Sequence, residues 1–261
     1  MRPILITHFF SSTGARKNRV VVMACLILLT ACKKDKSGQP VSDPFENLRI
    51  KTITGADAAE NWRAEYIYDT QKRVIKETEI LWGTQIYKVS DYTYSGNRIM
   101  KKITEHNSVR YKYYELLPNG YIKTDTTSEG AIYTYIYNDK GFLIKIRNDQ
   151  TPQTETNYYY NTATRLLDSI RTTYGGIWNS TATFLYDMGR NNSLQNKNTG
   201  MAFNADMHIR PFMHYEYKYF EGGSVKTQVT DYLFTYDDKG RITSKSFENA
   251  GQRLTYHYTY Y

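Results

Sequence analysis

Ring-bearing residues recur at every second position from Trp62 to the last residue, and the clearest stretch is Tyr232–Phe247, YLFTYDDKGRITSKSF. Tyr232, Phe234 and Tyr236 fall on one face of an extended strand, with Leu233 and Thr235 on the other. Asp237 can accept bonds from its own backbone, and Gly240 can take the positive φ that a short hairpin loop requires. The return strand then opens at Arg241 and Ile242. This stretch reads as one β-hairpin, and the chain as a row of them.

The same pattern, more or less eroded, recurs before it. Tyr66-Ile67-Tyr68-Asp69 leads to Arg73-Val74, and Tyr92-Thr93-Tyr94-Ser95 leads through Gly96-Asn97 to Arg98-Ile99. Tyr111, Tyr113 and Leu117 precede Pro118-Asn119-Gly120, and Tyr133, Tyr135 and Tyr137 precede Asn138 and Gly141. Further copies start at Tyr158, Phe184 and Tyr215, and Tyr256, Tyr258 and Tyr260 begin a ninth unit at which the chain stops. Counting Tyr219 before Gly222-Gly223 as a turn position, the turns fall 17 to 33 residues apart. That spacing fits one hairpin per unit. A first strand is expected at 48–54. The fold class is all-β: an antiparallel meander of repeated hairpins forming one curved, twisted sheet or a partly closed shell. The last strand is left with an open edge unless something covers it.

Composition sharpens this picture. There are 26 Tyr against 10 Phe and 3 Trp in 261 residues, so much of the apolar area carries a hydroxyl and suits a half-buried sheet. The formal charge of +8 suggests nucleic acid until it is located. Four of the 34 basic residues and none of the 26 acids lie in residues 1–31, which leaves +4 on the rest, interleaved with acids. No nucleic-acid partner is expected.

Arg16, Lys17 and Arg19 precede an apolar run, Val20 to Leu29, that is too short to span a bilayer and ends in Leu29-Thr30-Ala31-Cys32. This resembles the lipobox of bacterial lipoproteins. The resemblance implies cleavage after residue 31 and lipidation of Cys32, with membrane contact through that anchor. Lys33 after the cysteine favours the outer membrane by the same likeness. Residues 1–31 are then a signal peptide, 32–47 the lipidated cysteine and a flexible tether with Pro40 and Pro44, and 48–261 the β domain. With Cys25 removed and Cys32 acylated, no thiol is left for a disulfide or a nucleophile.

Phe234-Thr235-Tyr236-Asp237-Asp238-Lys239-Gly240-Arg241-Ile242 and Tyr135-Ile136-Tyr137-Asn138-Asp139-Lys140-Gly141-Phe142-Leu143 resemble the YD repeat of RHS-type proteins, whose core is aromatic-x-Tyr-Asp-x-x-Gly-Arg-aliphatic. In that family such repeats build a long β strip. The resemblance implies architecture and carries no activity to this chain.

Candidate chemistry is sparse. The longest break in the repeat, 191–211, holds Met201, Phe203, Asp206, Met207 and His208, and long insertions on rigid scaffolds often carry function. Asp206, His208 and His214 match no zinc spacing, so no metal and no cofactor is expected. HExxH, GxSxG and phosphate-binding glycine loops are missing. Asp69, Asp187 and Asp237 sit where turns need them. The candidate ligand-binding residues are Tyr215, Tyr217, Tyr219, Phe203 and His208, because aromatic rows with polar flanks can stack on sugars or fill a protein interface. The expected function is a non-catalytic, lipid-anchored binding or scaffold module of the envelope, with a glycan or envelope protein as partner. The alternatives are a structural spacer and a glycan-active hydrolase using carboxylates.

Overall fold

A computed structural model describes residues 45, 47–56, 61–81, 85–148, 150, 153–199, 201, 208, 210–249 and 252–261. The leader, Cys32 and Phe203 lie outside the described residues. Seventeen strands follow one another: β1 (Ile50–Ala56), β2 (Asn61–Tyr68), β3 (Val74–Leu81), β4 (Gln85–Ser95), β5 (Arg98–Glu105), β6 (Ser108–Leu116), β7 (Ile122–Thr127), β8 (Ile132–Tyr137) and β9 (Leu143–Asn148). Then come β10 (Thr154–Tyr160), β11 (Leu167–Tyr174), β12 (Ile177–Tyr186), β13 (Phe212–Glu221), β14 (Ser224–Asp231), β15 (Leu233–Tyr236), β16 (Ile242–Asn249) and β17 (Gln252–Tyr260). One short 3₁₀ turn, Asn196–Thr199, interrupts them.

Successive strands pair antiparallel, as the hairpin pattern predicts, except between β14 and β15. The last strand also pairs with the first: Tyr260 faces Ile50, and Tyr258 faces Ile53. The expected open edge is therefore closed by the other end of the chain, and the sheet forms a nearly complete barrel. β14 and β15 run on from one another through Tyr232, the first half bonded to β13 and the second to β16. The seventeen elements thus fill sixteen positions, an even number as an all-antiparallel ring demands. The unsealed seam lies where β14 passes β16 without a ladder.

The closure is a repeat assembled from both termini. Arg49-Ile50 occupies the place of Arg73-Val74 and Arg241-Ile242, and the Tyr261 N–H donates to the Arg49 carbonyl (3.0 Å) as Asp237 N–H does to Arg241 (3.0 Å). A register shift at Lys51 then turns both Ile50 and Ile53 inward, 1% and 5% exposed, where unbroken alternation would have split them between faces.

What holds successive units in line is one recurring joint. In six units the tyrosine ending the outgoing strand donates its hydroxyl to the carbonyl of the aliphatic residue that opens the preceding return strand. Tyr68 reaches Ile50 (2.6 Å), Tyr94 reaches Val74 (2.8 Å) and Tyr137 reaches Ile122 (3.0 Å). Tyr160 reaches Leu143 (3.0 Å), Tyr186 reaches Leu167 (2.7 Å) and Tyr260 reaches Ile242 (2.6 Å). The residue before that aliphatic covers the ring: Arg73 lies 4.2 Å from the centre of Tyr94, Arg241 5.2 Å from Tyr260, and Phe142 5.0 Å from Tyr160. Asp237 sets up the arginine. One carboxylate oxygen accepts the Lys239 and Arg241 N–H groups, and the other binds the Arg241 guanidinium at 2.6 Å. Asp69 does the same for Arg73. Gly240 takes φ 75°, as the turn requires, while Lys72 takes the equivalent position at φ 62°.

The Tyr219 position breaks this scheme. Tyr215, Tyr217 and Tyr219 lie on the return strand β13 of a unit whose turn is the 187–211 insertion, and Gly222-Gly223 is a hairpin turn at the opposite rim. Alternation alone cannot tell an outgoing strand from a return strand, so the sequence count placed one turn at the wrong end.

Tyr94→Phe removes one joint and leaves the Val74 carbonyl without its donor, so stability should fall by about 1 kcal/mol. Tyr260→Phe should cost more, because Ser193 also loses its acceptor. Urea denaturation midpoints at constant m-value check both.

Candidate functional site

The inner face carries the tyrosines, and it is unevenly packed. Tyr66, Tyr92, Tyr114 and Tyr258 are 2–6% exposed, sealed by Ile50, Val74, Ile99, Ile122 and Ile242. Across β8 to β13 the equivalent rings Tyr135, Tyr158, Tyr215, Tyr217 and Tyr219 are only partly covered. A ring of sixteen strand positions is wide enough to leave interior space, and on this side a second, smaller cluster forms from Leu167, Ala182 and Phe184, with Tyr158, Tyr215 and Tyr217 packed against it.

The insertion fills the sealed side. Leu194 and Met201 join the core, and Ser193 and Asn198 are fully buried. Ser193 Oγ accepts the Ile242 N–H at 2.8 Å and lies 3.0 Å from the Tyr260 hydroxyl. That hydroxyl already donates to Ile242, so Ser193 donates to it. Met201 is 5% exposed there.

His208 sits among Phe184 (4.8 Å between ring centres), Phe212 (4.7 Å) and Tyr186. His208 Nδ1 lies 2.9 Å from the Tyr186 hydroxyl, whose proton goes to Leu167, so Nδ1 carries the hydrogen. Nε2 is buried with no partner. Burial, helped by the nearby Lys245 ammonium, pushes the imidazole down to about 3 and keeps it neutral. His214 pairs with Asp231 at 2.6 Å on the outer face, so the two histidines do not converge. Among the described residues no group of three His, Cys, Asp or Glu side chains comes together as a metal site.

Tyr215, Tyr217 and Tyr219 form a stacked row, with centres 6.1 and 5.3 Å apart and planes 9° and 21° from parallel. Their faces are turned to one another along the strand, so the row offers edges and hydroxyls to the interior. Tyr215 shares Phe184 with His208, at 5.6 Å. Tyr219 lies seven residues beyond Phe212, about 23 Å along the strand. The sequence candidates are therefore two places on the inner face, and Phe203 lies outside the described residues.

A cluster that the repeat pattern did not reveal lies inside β3 to β7. Glu77 Oε2 accepts from Tyr92 (3.3 Å) and Lys101 (3.5 Å); Asp125 Oδ2 accepts from Tyr135 (2.7 Å) and pairs with Lys112 (3.5 Å). Glu79 pairs with Lys88. Lys101 and Lys112 stand directly opposite one another, each held by its own acid. Burial outweighs the attraction of Asp125 and lowers Lys112 to about 8, and burial raises the Asp125 carboxyl. The signal was present as charged residues at ring positions of the alternation, but only the register shows that they meet. Glu77, Glu79 and Asp125 are 0–1% exposed, so a substrate does not reach them as a catalytic acid pair requires. Asp187 accepts the Gly189 N–H, and with Asp69 and Asp237 it serves its turn.

Glu77→Leu alone should cost about 3–5 kcal/mol by stranding Lys101, and Glu77→Leu with Lys101→Met should recover most of it. The thermodynamic cycle from denaturant melts gives the coupling. For His208, the unfolded chain binds a proton near pH 6.5 that the folded chain refuses until about 3. Stability attributable to His208 is thus present above pH 6.5 and declines as pH falls toward 3. Melts of wild type and His208→Leu across pH 7 to 4 should diverge in slope.

No family model matches the chain, and no curated protein matches it. Among solved structures, the chain is similar to a porin-like protein from Bacteroides uniformis ATCC 8492, with TM-score 0.55, 17% identity, 81% of this chain and 96% of that one covered. It is also similar to a porin-like protein from Bacteroides vulgatus ATCC 8482, with TM-score 0.60, 13% identity, 82% of this chain and 99% of that one. At these identities the likeness is one of fold alone.

Proposed function

We propose that the chain is a lipid-anchored, non-catalytic binding or scaffold module of the cell envelope, attached to the outer membrane through Cys32 and taking a glycan or another envelope protein as ligand. The observation that carries this reading is the polarity of the outer face. A membrane-crossing barrel turns an apolar band outward, and each Lys or Arg at mid-bilayer costs about 2–4 kcal/mol. Here the outward cross-strand row Ile67, Lys76, Asp91, Lys102, Tyr111 places charge on three adjacent strands. Outward ion pairs Lys123–Glu115, Lys145–Glu155 and Lys218–Glu216 extend this around the wall. A barrel with such a wall reaches a bilayer through an attachment, and the Leu29–Cys32 motif supplies one. The partly exposed aromatics of β8 to β13 give the inner face an opening of the kind that a spacer has no need of.

Cys32→Ser should abolish labelling by a fatty-acid analogue and release the chain from the membrane pellet. Retention of the unlabelled variant in carbonate-washed membranes would overturn the anchor and favour a spanning barrel. For the ligand, the domain lacking residues 1–32 should bind on a glycan array, and Tyr217→Ala with Tyr219→Ala should weaken that binding. A pulled-down protein partner with no array signal would replace the sugar reading.

A further inference from the structure

The outer wall carries a recess that neither the repeat nor the inner-face reading explains. It measures about 580 Å³ and is lined by Tyr159 of β10, Ser169 and Arg171 of β11, and Trp178 and Thr181 of β12. Register puts these side chains together: Tyr159 faces Ser169, Arg171 faces Thr181, and Trp178 faces Thr173 one step further along. Arg171 and Ser169 lie between the two rings on adjoining strands.

Trp178 is there because of an irregularity. Ser180, Ala182 and Phe184 point inward, 5–6% exposed, so plain alternation would place Trp178 inside with them. The ladder slips between Thr172 and Thr173, leaving Asn179 as an extra residue and turning the indole outward. Slips at Ile67/Tyr68, Ile136/Tyr137, Tyr159/Tyr160 and Thr235/Tyr236 recur where each tyrosine meets its turn; this one lies outside that pattern. The indole Nε1–H donates to Thr181 Oγ1 at 2.8 Å, which fixes the ring across the recess. Tyr159 is 49% exposed, and Arg171 is exposed. The acid nearest in register, Glu155, is engaged by Lys145 at 3.1 Å, and among the described residues no carboxylate pairs with Arg171.

We infer that this recess is a binding site for an acidic saccharide, a uronic-acid-bearing glycan. Flat aromatic surfaces take the apolar face of a pyranose ring. A guanidinium without a counter-charge matches a sugar carboxylate through two parallel N–H···O bonds. Ser169 and Thr181 supply the hydroxyls that orient ring oxygens. The site is separate from the Tyr215–Tyr219 row, so its failure and the failure of the inner-face reading are told apart by which variants change binding.

The experiment uses the purified full chain in detergent, with tri-galacturonic acid and its fully methyl-esterified counterpart as probes, followed by calorimetry. Saturable binding of the acid is expected, with the ester at least about tenfold weaker. Arg171→Gln should bring the acid down to the level of the ester and leave the ester unchanged, and Trp178→Ala should weaken both by about tenfold or more. Thermal midpoints confirm folding, and since Arg171 is exposed, its variant decides the matter if Trp178→Ala fails to fold. No binding of either trimer overturns the site, equal affinity for acid and ester overturns the acidic class, and acid binding that survives both substitutions or falls only in Tyr217→Ala places the ligand elsewhere.

Discussion

A tyrosine hydroxyl bonded to the backbone carbonyl of the unit before it is the contact on which this barrel depends. A sheet ladder alone fixes which strands are neighbours, but it leaves each hairpin free to splay at its turn. The Tyr94–Val74, Tyr160–Leu143 and Tyr260–Ile242 bonds cross from one hairpin to the last and pin the turn rim. Each joint contributes only about 1 kcal/mol, yet six in a ring act on the same edge. The motif chemistry follows from it. Aspartate orders the turn and aims the arginine, the arginine covers the next ring, and the ring's hydroxyl closes onto the aliphatic residue beside the arginine.

The same joint explains how the barrel shuts. Arg49-Ile50 from one terminus and Tyr258, Tyr260 and Tyr261 from the other rebuild the unit that neither end contains, so closure is made of the contacts that hold every other unit. Where the joint is lost, at Tyr236, the insertion takes over: Arg190 lies 4.8 Å over that ring, and Ser193 bridges Ile242 and Tyr260. The seam by β14 falls beside this unit, at the place where the regular partner has been replaced.

Polarity sets what such a barrel can do. Charged residues stand outward on adjacent strands, beside outward aliphatics such as Leu185 and Leu233, 63% and 57% exposed. The buried pairs Glu77–Lys101 and Asp125–Lys112 are fixed charges in the sealed half.

Strand alternation, turn residues and the hairpin period were legible in the residues, because a period of two and a Gly or Asp at a turn are local properties. The all-β meander followed from them. Closure, the face of Trp178, the burial of His208 and the meeting of Glu77 with Lys101 were not legible. Each depends on register between segments far apart in the chain or on a one-residue slip, and a slip reverses which face a side chain takes without altering the local pattern. Local sequence therefore determined the hairpin, while long-range pairing decided that hairpins become a ring, which side of its wall each ring or charge occupies, and where a ligand can meet them.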